Sequence, residues 1–236
     1  MLYHKQIFIS ICLIFTFVFV HAQGGYVFYK KQLSYELDQD IEENMKHALN
    51  QLDKQEYQLT FSKNRGSYMK IESLSINNNP MVDAIVNSFS DFNGKIFFDN
   101  SKKTVVHQKE FSGNIFLIYK KTKHWKLINE TMTIDGYLCY KATTQRVIQN
   151  ADGVHNLMVT AWYAPEIPLP YGPDGYGGLP GLILQLENNS ILTVIKKIKF
   201  SNNNPVEINF PNMGERITED DFDAMAKKMW EKRKDN

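Results

Sequence analysis

The chain has 236 residues, with 27 Lys and Arg against 26 Asp and Glu, for a formal net charge of +1 at pH 7. That length suits one domain with a sizeable core, and the balanced charge gives no electrostatic case for nucleic acid or an anionic membrane surface. Of the 2 cysteines, Cys12 lies in an apolar leader and only Cys139 lies beyond it, so no intramolecular disulfide is expected.

Residues 1–22 read as a secretory signal. Lys5 supplies the positive start, residues 7–20 the apolar stretch, and Val20-His21-Ala22 a small-residue cleavage site before Gln23. The apolar run is shorter than the about 20 residues that span a bilayer. The expectation is cleavage after Ala22 and export to the periplasm or beyond. Residues 23–236 then form a single domain with no transmembrane segment.

In chain order, residues 25–37 read as a first strand and 40–52 as a short amphipathic helix, with Ile41, Met45, Ala48, Leu49 and Leu52 at helical spacing and Asp38 or Asp40 as its cap. The acidic run 38–43 lacks the central Gly and terminal Glu of a calcium loop. Strands at 56–62 and 67–73 are joined by Lys63-Asn64-Arg65-Gly66, a hairpin with Gly placed for positive φ. Residues 74–93 are poorly patterned, although Met81, Val82, Ile85, Val86 and Phe89 allow a short helix. Further strands are predicted at 95–99, 104–108, 114–119, 125–129, 131–134, 137–147, 154–163, 182–187, 191–200 and 206–210. Turn signals at short intervals without alternating helices indicate an antiparallel meander. Residues 218–234 read as a closing helix, with Thr218 as N-cap, Glu219-Asp220-Asp221 in the first turn and Phe222, Met225, Ala226 and Met229 as its apolar stripe.

The most informative stretch is the Pro/Gly/Tyr segment 165–177 followed by Gly178-Leu179-Pro180-Gly181-Leu182-Ile183. Pro180 and Gly181 fit the central positions of a type II turn, which places Gly181 at positive φ. Beyond it, Leu182, Leu184 and Leu186 alternate with Ile183, Gln185 and Glu187, the pattern of a half-buried strand. Gly175-Tyr176-Gly177-Gly178 has neither a following Lys-Ser/Thr pair nor a following helix, so it is not a phosphate-cradling loop.

With Trp125, Gly136-Tyr137-Leu138-Cys139-Tyr140-Lys141-Ala142, Ala161-Trp162-Tyr163, Glu166-Ile167-Pro168 and Gly172-Pro173, this stretch resembles the GLPGLI family of secreted Bacteroidota proteins. The resemblance is densest over residues 120–190. It implies export and a β-rich fold. It supplies no established activity and no catalytic residues to carry over.

Catalytic signals are sparse. His47, His107, His124 and His155 show neither the i, i+2 nor the i, i+4 spacing of a local metal site, and no Gly-x-Ser-x-Gly elbow is present. Asp152 and Glu166 are carboxylates that only the fold could bring together. No catalytic residue, metal or cofactor is therefore assigned. Cys139 is expected to be buried in a strand, and Gly178, Leu179, Pro180, Gly181, Leu182 and Ile183 to be structural. Asn129-Glu130-Thr131 and Asn188-Asn189-Ser190 match the glycosylation acceptor pattern but read as strand and turn residues. Trp162, Tyr163, Tyr171 and Tyr176 are the candidate ligand- or partner-binding residues, since rings with polar tips suit a binding rim, although such rings also plug curved sheets.

The expected architecture is mainly β: a strongly curved antiparallel sheet or half-open barrel, with one helix in the N-terminal half and one at the C-terminus. The first functional expectation is a non-enzymatic envelope protein holding an apolar or peptide ligand on the concave face. The second is an interaction module for an envelope transporter or secretion machine. A hydrolase or metal enzyme has the least behind it.

Overall fold

The computed structural model describes residues 24–35, 42–72, 79–90, 92–121, 123–150, 153–201 and 206–234. The leader expected at 1–22, the cap residues Asp38 and Asp40, and Asp152 lie outside them. The chain forms β1 (Gly24–Leu33), α1 (Glu43–Lys54), β2 (Glu56–Ser62), β3 (Arg65–Lys70), α2 (Pro80–Ser90), β4 (Lys95–Asp99), β5 (Thr104–Phe111) and β6 (Asn114–Lys120). There follow β7 (Lys126–Ile134), β8 (Tyr137–Asn150), β9 (Gly153–Ala164), a 3-10 turn (Pro173–Gly175), β10 (Leu182–Asn188), β11 (Ile191–Ser201), β12 (Glu215–Thr218) and α3 (Glu219–Lys234).

All strands belong to one sheet in the order β12-β6-β5-β4-β3-β2-β1-β11-β10-β9-β8-β7. Two meanders meet where β1 pairs antiparallel with β11. The connectivity itself forces curvature. β6 and β7 are ten strand spacings apart in the sheet, which is about 48 Å if flat. Yet only residues 121–125 join them, and so short a link reaches at most about 21 Å from Lys120 to Lys126. The two ends of the sheet therefore curl towards each other. β12 and β7 remain unpaired edges, so the barrel is open.

Alternation sets the inner face. Val27, Tyr29 and Lys31 on β1, and Tyr57, Leu59 and Phe61 on β2, are each at most 1% exposed. Tyr68, Ile96 and Phe98 extend this core across β3 and β4. β4 is buried on both faces, because Phe97 packs on Phe210 from the segment that follows β11. α1 and α2 cover one side through Ala48, Val82 and Val86. α3 covers β6, with Phe222 edge-on to Phe116 and Phe111. Its N-cap is as expected: the Asp221 N–H donates to Thr218 Oγ1 at 3.2 Å.

Several local expectations need correction. The α1 helix begins at Glu43 rather than at 40, and Glu42 at its N-cap makes no side-chain capping bond. Residues 206–210 form no strand. They are held by side chains instead, with Ile208 buried and its carbonyl accepting from Arg65 Nη1 at 3.3 Å. A strand appears further on as β12, parallel to β6 in an otherwise antiparallel sheet. The first hairpin turns on Lys63 and Asn64 alone, with Gly66 inside β3 opposite Phe61. Gly66 does not have positive φ. It is small because a Cβ there would sit 3.2 Å from Phe98 and 3.3 Å from Tyr171.

Candidate functional site

Between Ala164 and Leu182, which are paired across β9 and β10, the chain makes an Ω-shaped excursion into the concave side. Backbone bonds fix the path. Gly178 N–H donates to Pro170 O at 3.0 Å, Leu182 N–H to Ile167 O at 2.9 Å, and Ile183 N–H to Tyr171 O at 3.0 Å. Side chains from distant parts of the chain hold it as well. The Tyr29 hydroxyl donates to the Ile183 carbonyl at 2.8 Å, and Trp125 Nε1 donates to the Gly177 carbonyl at 2.9 Å. Phe98 of β4 tilts onto Tyr171 at 5.4 Å between centroids.

Of the four candidate binding rings, the structure places two in this plug. Tyr171 is 1% exposed and Tyr176 5%. Burial pushes the Tyr171 hydroxyl well above the usual tyrosine range, with the Asp99 charge adding to it. Tyr163 is buried in a second core cluster with Ala142, Ala161, Ile183 and Leu186. Trp162 is half-buried against the first core with Lys141 over its ring. Ile167, Tyr171, Tyr176 and Leu179 together would expose about 6–12 kcal/mol of burial if the plug swung out, at about 1.5–3 kcal/mol each. That approaches the stability of a whole domain, about 5–15 kcal/mol. The plug is core, and a ligand on the concave face would have to displace it.

The Pro-Gly motif is built differently from the turn expected. Gly178, not Gly181, has positive φ (84°). At Gly181 the constraint is steric: a Cβ would lie 2.3 Å from the Ala164 carbonyl oxygen. The strand that follows also departs from simple alternation. The β9 register jumps between Ile183 and Gln185, leaving Leu184 as a bulge. Leu182 and Leu184 join the first core, while Ile183 and Leu186 join the second. Cys139 is buried, and burial together with the Glu166 charge pushes its thiol up to about 11, which leaves it inert at neutral pH.

An ion pair that the sequence did not announce pins the plug. Lys31 of β1 is 1% exposed, and its Nζ lies 2.9 Å from Asp174 Oδ2 in the 3-10 turn. Nζ also donates to the Ser90 carbonyl at 2.8 Å and sits 4.7 Å over the Tyr57 ring. Asp174 adopts φ 54°, ψ 22°, a left-handed conformation that Asp tolerates better than most residues. Tyr68 lies beside this carboxylate, and burial and then the Asp174 charge hold its hydroxyl protonated. Below Lys31, Phe92 stacks on His107 at 5.7 Å. Burial lowers the His107 imidazole to about 4, so the neutral ring donates from Nε2 to the Asn93 carbonyl at 2.6 Å. A signal for Lys31 did exist, because it continues the buried alternation of Val27 and Tyr29. Asp174 read only as a turn residue.

The other polar candidates stay apart. His47 is on α1, His107 on β5, His124 before β7 and His155 on β9. Among the described residues no group of three or more His, Cys, Asp or Glu could hold a metal ion, and no helix is long and apolar enough to cross a membrane.

A shallow recess, open to solvent and about 370 Å³ in volume, lies where the chain leaves β9. Leu138, Tyr140, Tyr163, Pro165 and Glu166 line it. The Tyr140 and Tyr163 rings are 6.1 Å apart, tilted by 34°, and burial followed by the neighbouring Tyr140 raises the Tyr163 hydroxyl. Glu166 and Pro165 are exposed where the chain leaves β9. Three stretches singled out in the sequence, 136–142, 161–163 and 166–168, thus meet at one place.

Residues 153–185 match the family model described as "Protein of unknown function (Porph_ging)". This is a Bacteroidota-associated family. The matched stretch runs through β9 and the plug into β10, and so includes Tyr163, Pro165, Glu166 and Asp174. No curated protein matches the chain. Among solved structures, two crystal forms of PNGF-II are similar in fold, each at 16% identity, with TM-scores of 0.50 and 0.51 over 86% and 88% of this chain. The chain spans about a third of the length of PNGF-II, 33% and 32% in the two forms. At that identity the likeness concerns fold alone.

Proposed function

We propose that this chain is an exported envelope protein of the GLPGLI type that acts as a non-enzymatic interaction module, engaging its partner at the rim recess. One observation carries the reading: the concave interior is filled by the chain's own plug, while motif residues from β8, β9 and the plug entrance line an open recess. The apolar leader at 1–22 and the resemblance over residues 120–190 support export and family. An apolar ligand inside the sheet is the weaker reading, because it requires the plug to leave.

A photo-crosslinking residue at Leu138, 42% exposed beside the recess, tests this in the native host, with Phe200, 46% exposed elsewhere, as control. The expected result is a discrete adduct from Leu138 that disappears with Glu166→Lys. The same adducts from both positions would refute the recess as the contact site.

A further inference from the structure

We propose that the recess receives the guanidinium of an arginine side chain presented by a polypeptide partner, an assignment that rests on the rim reading above. The recess carries uncompensated negative charge. Glu166 is exposed and has no ion-pair or hydrogen-bond partner among the described residues. The negative charge of Glu166 also reaches inward, where it adds to burial in raising the Cys139 thiol.

The walls narrow the choice of cation. Tyr163 is 6% exposed and Tyr140 only partly exposed, so neither ring offers a broad free face on which a sugar or an aromatic ring could stack. The residues around it carry one carboxylate, Glu166, and two phenols, Tyr140 and Tyr163. A guanidinium brings five N–H donors in a planar fork, able to bridge the carboxylate and still reach a phenol oxygen. Leu138 and Pro165 provide apolar surface for the methylene stem. Shallow and open to solvent, the recess suits one side chain presented from a surface. Lysine would satisfy the charge but not the planar fork, so arginine is favoured over lysine.

The test uses the full secreted chain and three probe peptides: acetyl-Gly-Arg-Gly-amide, its lysine counterpart and its citrulline counterpart, which keeps the shape of arginine without the charge. Binding is followed by NMR at the Leu138 methyls and the Tyr140 ring. The arginine peptide should shift both, bind more tightly than the lysine peptide, and weaken with added salt. Citrulline, or Glu166→Gln in the protein, should reduce affinity at least about tenfold. Tyr140→Phe, which keeps the ring and removes its phenol oxygen, should weaken arginine more than lysine. Equal binding of citrulline, or unchanged affinity in Glu166→Gln, overturns the guanidinium assignment but leaves the recess as a site. Arginine-dependent shifts confined to other residues overturn the recess reading itself. Unchanged melting temperatures verify that the Glu166→Gln and Tyr140→Phe variants are folded.

Discussion

Replacing Asp174 by Asn isolates the charge at the centre of the plug. Asn is isosteric and accepts the left-handed φ of 54° that this position requires, so backbone strain should not change. What changes is the environment of Lys31, whose ammonium is 1% exposed and loses its partner at 2.9 Å. Removing one member of a buried pair costs about 3–5 kcal/mol, because the remaining charge stays desolvated. The Ser90 carbonyl and the Tyr57 ring retain some stabilisation, with a cation–π contact contributing about 0.5–2 kcal/mol. The net expectation is about 3 kcal/mol, near the lower end. At about 2–4 °C per kcal/mol for a domain of this size, the melting temperature should fall by about 6–12 °C. Thermal and urea unfolding of wild type, Asp174→Asn, Lys31→Met and the double variant form the cycle. The double variant should be more stable than the sum of the single losses predicts, by at least about 1 kcal/mol. A loss below 1 kcal/mol in Asp174→Asn, or strict additivity, would refute the claim that this pair anchors the plug.

Gly181→Ala should destabilise severely or prevent folding, since its Cβ meets the Ala164 carbonyl at 2.3 Å. Gly178→Ala, at φ 84° with nothing within 4 Å of the added Cβ, should cost only about 1–2 kcal/mol. The reverse order in denaturant melts would mean the motif acts through backbone conformation instead. His107 is lowered from 6.5 to about 4 in the folded state. Its contribution is therefore intact above pH 6.5 and lost as pH falls towards 4, by up to about 3 kcal/mol. That acid sensitivity should diminish in His107→Gln, and an identical pH–stability profile for the variant would contradict it. Cys139, pushed up to about 11, should resist iodoacetamide at pH 8 in the native protein and react once unfolded; rapid native labelling would show an exposed thiol.

Local patterns and tertiary patterns were unequally legible in the sequence. β2 and β4 have the bounds predicted from alternation and flanking turns, and α3 starts where Thr218 caps it. These features depend on neighbours close in the chain. β12 was missed because its four residues gain their strand character from pairing with β6, about a hundred positions earlier. Tyr171 and Tyr176 admitted two readings from sequence, a binding rim or a plug in a curved sheet, and alternation could not choose between them. Their burial follows from the curl of the sheet around the loop, which period-2 alternation does not encode. Gly181 shows the same limit: its constraint is the Ala164 carbonyl on β9, not its own φ. The Lys31–Asp174 pair and the recess are assembled from distant segments, and sequence could supply only their parts.

The central claim is that the plug is part of the folded core and leaves the rim as the working surface. Native-state hydrogen exchange tests it at the Gly178, Leu182 and Ile183 amides, which bond to Pro170, Ile167 and Tyr171. The account predicts that they exchange only through global unfolding, with the same free energy as the central amides of β1 and β2. Exchange of these three through a separate opening, several kcal/mol below the global value and with β1 and β2 still protected, would contradict it and restore the concave face as a ligand site.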